Sequence, residues 1–173
     1  MSLRKNVRAA VVAVIITMSK TKKIVYGAMI GALYAALTLL LAPISYGPVQ
    51  FRISEMLTIL PMFTPYAIPG LTVGCVVANL LGGFGLVDVL FGSAATLIGG
   101  LGTYYFRNKP VLAMLSPVVS NGIIVGSMLY CVVPDSPALL LNVVTVGIGE
   151  LVICFGCGSL LIHMLKKHPS LFR

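Results

Sequence analysis

Between residues 24 and 165 the chain is a close succession of apolar runs, separated only by short joints rich in Gly, Pro or a few polar residues. An α-helix needs about 20 apolar residues to cross the hydrocarbon core of a bilayer. Segments of that kind follow one another so closely that no soluble domain fits between them. With 58% hydrophobic and only 9% charged residues among 173, against about 25% charged in soluble domains, the sequence describes one integral membrane domain. The runs are continuous rather than alternating, which argues against a transmembrane β-barrel. Helices remain, because they satisfy their own backbone in lipid.

Six spans are expected, at about 24–43, 54–63, 65–81, 86–106, 110–133 and 137–165. The fold class is therefore an all-α membrane protein, a bundle of six transmembrane helices. Asp135, Ser136 and Pro137 read as the start of the last span, a capping residue followed by Pro at the first helical position. Residues 1–23 form a basic N-terminal segment. Its ten mostly apolar residues 9–18 are too short to span and resemble a signal-peptide core, but no small-residue cleavage site follows. Met18 reads as the natural start, with residues 1–17 as an extension from an upstream start codon. Residues 166–173 form a basic tail.

The net charge of +8 would suit nucleic acid, but its distribution suits membrane flanks. With the N-terminus inside, an even number of spans puts 11 of the 12 basic residues on the cytoplasmic side, as the positive-inside rule requires. Both termini are then cytoplasmic, and Arg52 is the one basic residue left outside.

Charge inside an apolar span is expensive, roughly 2.5–3.5 kcal/mol at the helix centre, so intramembrane acids mark either pairing or a ligand path. Glu55, Asp88 and Glu150 are in or near apolar spans. Asp88 is equally well placed to cap a helix. Arg52 and Glu55, three residues apart, are able to pair on one helix face. With Gln50 and Ser54 beside them they also resemble one wall of a polar-ligand pocket. Asn79, Asn121 and Asn142 lie within spans, where each needs hydrogen-bond partners and bonding between helices is the plain alternative to ligand contact. Asn142 and Glu150, two turns apart, fall on related faces.

Two stripes of small residues run along the first span: Gly27, Gly31 and Ala35, and Ala28, Ala32 and Ala36. Both have the spacing that lets helices approach closely, either within the bundle or against another membrane subunit. Gly70, Gly74 and Ala78 make a similar stripe expected to be internal. All four cysteines, Cys75, Cys131, Cys154 and Cys157, read as packing residues. The Cys154-x-x-Cys157 pair lacks further ligands for a metal. There is no P-loop, HExxH or GxSxG motif, so the chain is expected neither to bind ATP itself nor to be an enzyme, and no metal or cofactor is expected.

The stretch "VQFRISEMLTILPMFTPYAIPGLTVGCVVANLLGGFGLVDVLFGSAATLIGGLGTYY" resembles the QueT family, substrate-binding S-components of energy-coupling factor (ECF) transporters. The blocks QFRISE…LP, IPGLxxG…AN and DxxFGSxxT carry the resemblance, which runs over about residues 22–165. It implies a subunit that captures a queuosine precursor or salvage compound outside and releases it inside, the ligand being a 7-deazaguanine base such as preQ1 or queuine, or the nucleoside. It also implies partners: a transmembrane scaffold subunit and two cytoplasmic ATPase subunits, the scaffold meeting the first helix at residues among Gly27, Ala28, Gly31, Ala32, Ala35 and Ala36. Matching a guanine-like edge to side chains yields Gln50, Arg52, Glu55, Asn79, Asp88, Asn142 and Glu150 as substrate-binding candidates, with Tyr34, Tyr46 or Phe91 for stacking. The competing reading is a stand-alone carrier that moves a small polar metabolite with protons on Glu150 or Asp88.

Overall fold

The computed structural model describes residues 19–46, 51–82 and 84–167. These residues are all-helical, with no strand among them. Helix α1 (Lys20–Leu40) starts where the Ser19 side chain accepts the Lys22 amide at 3.3 Å, an N-cap of the usual kind. A four-residue helix α2 (Ala42–Ser45) carries Pro43 in its first turn. A 3-10 segment (Ile53–Met62) follows, then α3 (Ala67–Gly82), α4 (Leu86–Tyr105), α5 (Pro110–Val132), α6 (Leu139–Leu151), a π-helical turn (Val152–Cys157) and α7 (Gly158–Lys167). The π turn joins α6 to α7 without a break, so Leu139–Lys167 is one helical rod of 29 residues.

Four helical stretches are long and apolar enough to cross a membrane: Lys20–Leu40, Leu86–Tyr105, Pro110–Val132 and Leu139–Lys167. Ile53–Met62 and Ala67–Gly82 are apolar but shorter. Large apolar side chains such as Leu40, Leu81, Leu90 and Leu140 are exposed on the outside, as expected of a surface that meets lipid tails. The chain is thus a multi-pass membrane protein.

The second apolar segment is the centre of the molecule. Ten residues of 3-10 helix is unusually long; Pro61 inside it has no N–H to give to an α-helical ladder. It touches α1, α3, α4, α5, the π turn and α7. Ser54, Glu55 and every residue from Leu57 to Met62 are buried. Around it α1 packs on α3, α3 on α4, α4 on α5, and α5 on α6.

The α1–α3 contact is backbone against backbone. A Cβ at Gly31 would lie 2.6 Å from the Gly70 carbonyl oxygen, one at Gly74 2.5 Å from that of Gly31, and one at Gly70 would overlap the Gly27 carbonyl oxygen. The stripe Gly70, Gly74 and Ala78 is internal, as expected. On α1, Gly27, Gly31 and Ala35 are buried facing α3, whereas Ala28, Ala32 and Ala36 are exposed; Gly27, Gly31 and Ala35 also line a groove between the two helices together with Ala28 and Ala32.

The start of the last span also differs from expectation. Asp135 does not cap it; it sits in a turn at φ 52°, a backbone region Asp tolerates. The helix begins at Leu139, two residues after Pro137. Its first turn is fastened from within: Asn142 Nδ2 donates to Ser136 Oγ and to the Pro137 carbonyl, each at 2.8 Å. Holding Ser136 and Pro137 in this way keeps Pro137 outside the helix.

Candidate functional site

A polar cluster lies between the first turn of the 3-10 segment and the helices around it. Arg52 is the residue before that segment, and its carbonyl accepts the Glu55 amide at 2.9 Å. Arg52 precedes the 3-10 helix in extended backbone, and Glu55 lies in its first turn. The two take different partners. Glu55 Oε1 accepts the Tyr34 hydroxyl from α1, and Oε2 faces Asn121 Nδ2 from α5 at 3.5 Å. The Arg52 guanidinium lies 5.2 Å from the Tyr46 ring centroid, and Nη1 reaches Cys75 Sγ at 3.8 Å. Its Nε and Nη2 are buried without a hydrogen-bond partner among the described residues.

Asn79 and Asp88 stand beside it. Asn79 Nδ2 donates to the Asp88 carbonyl at 3.0 Å and approaches Cys75 Sγ at 3.5 Å, while Oδ1 has no partner among the described residues. Asp88, in the first turn of α4, accepts the Phe84 amide on Oδ2 at 3.3 Å, and its Oδ1 has no partner among the described residues. The carboxylate thus secures the entry to α4 and still presents a free acceptor. One turn further on, a Cβ at Gly92 would meet Asn79 Nδ2 at 2.5 Å and Asp88 Oδ1 at 3.0 Å; glycine there gives both side chains their room. Two donor nitrogens and two acceptor oxygens are left over in one buried place. A buried group without its hydrogen bond costs about 1–3 kcal/mol, more when charged, so the arrangement suits a polar ligand that completes it.

Glu150 belongs to the same cluster. It is buried on α6, its Oε2 faces Cys154 Sγ at 3.7 Å, and it lies within electrostatic reach of Glu55, Arg52 and Asn121. Cys154 Sγ also approaches the Glu55 carbonyl and Thr58 Oγ1, each at 3.9 Å. The π turn begins two residues after Glu150; such turns recur at functional sites because they displace a helix face locally.

Arg52, Glu55, Asn79, Asp88 and Glu150 are therefore brought together. Asn142 is engaged at the start of α6, as described above. Gln50 lies outside the described residues. Of the aromatic candidates, Tyr34 bonds Glu55, Tyr46 donates to the Ala78 carbonyl at 2.8 Å with its ring near Arg52, and Phe91 is half exposed on the outer surface. Three members were not singled out in the sequence as site residues. Cys75 and Cys154 each approach the charged groups. Thr38 shares a hydrogen bond at 2.6 Å with Ser54, which the sequence did mark. Apolar-looking Cys gives no polar signal in a hydrophobic run, and Thr is common in spans, so neither stood out. Among the described residues no group of three His, Cys, Asp or Glu converges to hold a metal ion.

Tyr34→Phe tests how the acid is held. Removing the hydroxyl leaves Glu55 Oε1 buried with no donor, at a cost of about 1–3 kcal/mol. Thermal unfolding in detergent is expected at a clearly lower temperature than wild type; an unchanged midpoint would show that the bond contributes nothing.

Comparison with known proteins agrees with the membrane architecture. The model of the QueT transporter family matches residues 24–167. The queuosine precursor transporter QueT of Lactococcus lactis subsp. cremoris is 46% identical over 82 residues, a match that covers 46% of this chain and 48% of that protein. This chain thus spans about half the length of the curated relative in the match. No solved structure matches.

Proposed function

This chain belongs to the QueT transporter family, whose members are transporters rather than enzymes, and we propose that it is the substrate-binding membrane subunit of an ECF-type importer for a queuosine precursor or salvage compound. The observation that supports this reading is that, among the buried atoms without a hydrogen-bond partner among the described residues, four belong to this cluster: Arg52 Nε and Nη2, Asn79 Oδ1 and Asp88 Oδ1. A 7-deazaguanine base offers the complement. Its O6 accepts from the guanidinium. Its N1–H and exocyclic amine donate to a carboxylate and an amide oxygen, and such charge-assisted bonds are strong when desolvated. This shifts the guanine edge toward Asp88, whose oxygen is free, and away from Glu55, whose oxygens face Tyr34 and Asn121.

The topology belongs to the same proposal. Six spans come from the apolar runs, the charge distribution supports an even number with both termini cytoplasmic, and Arg52 then faces the cell exterior, where a scavenged base arrives. The exposed face Ala28, Ala32 and Ala36 docks a scaffold subunit, and two cytoplasmic ATPase subunits supply the energy. Ala32→Leu is expected to leave binding of preQ1 by the purified chain unchanged and to lower ATP-dependent uptake by about tenfold or more in vesicles holding the whole transporter, because close helix approach needs small residues. Undiminished uptake would remove this face from the interface.

The reading is tested by binding of preQ1 or queuine to the purified chain, and by uptake into vesicles with and without the partner subunits. Binding together with uptake that requires ATP supports it. Uptake by this chain alone, driven by a pH gradient, would favour the stand-alone proton-coupled carrier.

A further inference from the structure

We propose that Cys75 is a positioning residue for the ligand: its sulfur fixes the rotation of the Arg52 guanidinium and the sense of the Asn79 amide, so that the donors of one and the acceptor of the other are presented together. This rests on the function proposed above and adds to it a residue that acts through two others. Cys75 lies on α3, fully buried, with a free thiol. Arg52 Nη1 reaches its Sγ at 3.8 Å and Asn79 Nδ2 at 3.5 Å. The side chains of Thr96 and Tyr34 also face the sulfur. A single atom thus stands between two side chains that are themselves buried, at 5% and 1% exposure. Their other polar atoms, Arg52 Nε and Nη2 and Asn79 Oδ1, have no partner among the described residues.

Each side chain has a freedom that the sulfur removes. A guanidinium is a rigid plane with five N–H groups in fixed directions. The Tyr46 ring, 5.2 Å from its centre, attracts the cation but does not choose which N–H points where. Giving Nη1 to Cys75 makes that choice. Nε and Nη2 then remain as one edge of the fork, the edge able to hold an acceptor with two parallel bonds. The Asn79 amide has two ends of nearly the same shape and opposite polarity. Its Nδ2 lies between two acceptors, Cys75 Sγ and the Asp88 carbonyl, and this turns Oδ1 the other way. Without the sulfur only the carbonyl opposes a flip.

The chemistry of sulfur suits the task. A thiol is a weak acceptor, so it takes an N–H from Arg52 without neutralising it, and the positive charge stays available to the ligand. A carboxylate in its place would pair with the guanidinium outright. Cys also behaves as a small hydrophobe, which keeps its cost low within an apolar span.

The test is calorimetric titration of preQ1 into the purified full chain in nanodiscs. Cys75→Ala is expected to bind at least about tenfold more weakly, and Cys75→Ser, which keeps an acceptor in the same place, within about threefold of wild type. If the alanine variant does not fold, Cys75→Val, which fills the space without an acceptor, takes its place with the same expected loss. Coupling separates positioning from packing. When the Cys75 change is combined with Arg52→Lys, or with Asn79→Ala, the total loss is expected to fall short of the product of the single losses by at least about threefold, because less is left to orient. Wild-type affinity in the variant without an acceptor would overturn the role of Cys75. So would a serine variant as weak as that one, or losses that multiply fully in both pairs. Failure of the wild-type chain to bind preQ1 overturns the queuosine-precursor reading itself, and the role of Cys75 with it.

Discussion

Arg52→Gln is expected to weaken binding of preQ1 by about a hundredfold or more. Two of its nitrogens, Nε and Nη2, are the unpartnered donors of the site, and each hydrogen bond to a charged group is worth about 1.5–3 kcal/mol, with about 1.4 kcal/mol per tenfold in affinity. The same change removes the one buried cation near Glu55, Asp88 and Glu150, so thermal stability is expected to fall as well, and the binding result alone would be ambiguous. Arg52→Lys resolves it. A lysine restores the charge, and with it most of the stability, but an ammonium cannot present two donors in a fixed plane. The lysine variant is therefore expected to melt near the wild-type temperature while still binding at least about tenfold more weakly. Wild-type affinity in Arg52→Lys would show that the guanidinium serves the fold and does not read the ligand.

The largest effect on stability is expected at Gly70. Its Cα hydrogen faces the Gly27 carbonyl of α1, and a methyl group there has no space without moving α1 bodily. Inside lipid, water does not drive helices together; packing does. Losing the close approach therefore removes the cause of the α1–α3 contact rather than trimming it. Overpacking of this kind costs about 1–3 kcal/mol and sometimes more. Gly70→Ala is expected at or above the upper end of that range, read as a lowered melting temperature in detergent, and Gly70→Val is expected to yield no monodisperse protein. Ala32→Leu, on the exposed side of α1, is the matched control and should melt like wild type. A Gly70→Ala variant with an unchanged midpoint would contradict the backbone contact.

Both predictions concern features that the sequence shows only in part. The small stripes on the first and third apolar runs are plain in the spacing. Their pairing is not, because Gly27 and Ala28 offer equally small faces and only the partner helix distinguishes them. The intramembrane charges were readable because each is costly in lipid, and four of the five residues the structure gathers as Arg52, Glu55, Asn79, Asp88 and Glu150 are charged. Asn142 carries the same polar signal as Asn79, but it turns back to Ser136 and Pro137, a local bond that no periodicity reveals. The second apolar run was legible as short and Pro-bounded. That it winds as a 3-10 helix at the centre, with Arg52 and Glu55 taking separate partners, is not legible there, because the partners of Glu55, Tyr34 and Asn121, come from distant parts of the chain.

That central segment has a consequence for how the protein enters its membrane. Ten residues of 3-10 helix rise only about 20 Å at ~2.0 Å each, against a hydrocarbon core of about 30 Å, and Glu55 sits in the first turn. Such a segment is apolar but too short to span lipid alone, and it carries one acid, Glu55. It becomes acceptable to the bilayer only when α1 supplies the Tyr34 hydroxyl and the surrounding helices exclude lipid from its backbone. Biogenesis cannot then proceed as an independent release of one helix after another; the insertion machinery must retain α1 and the central segment until α3, and later α5, arrive to enclose them.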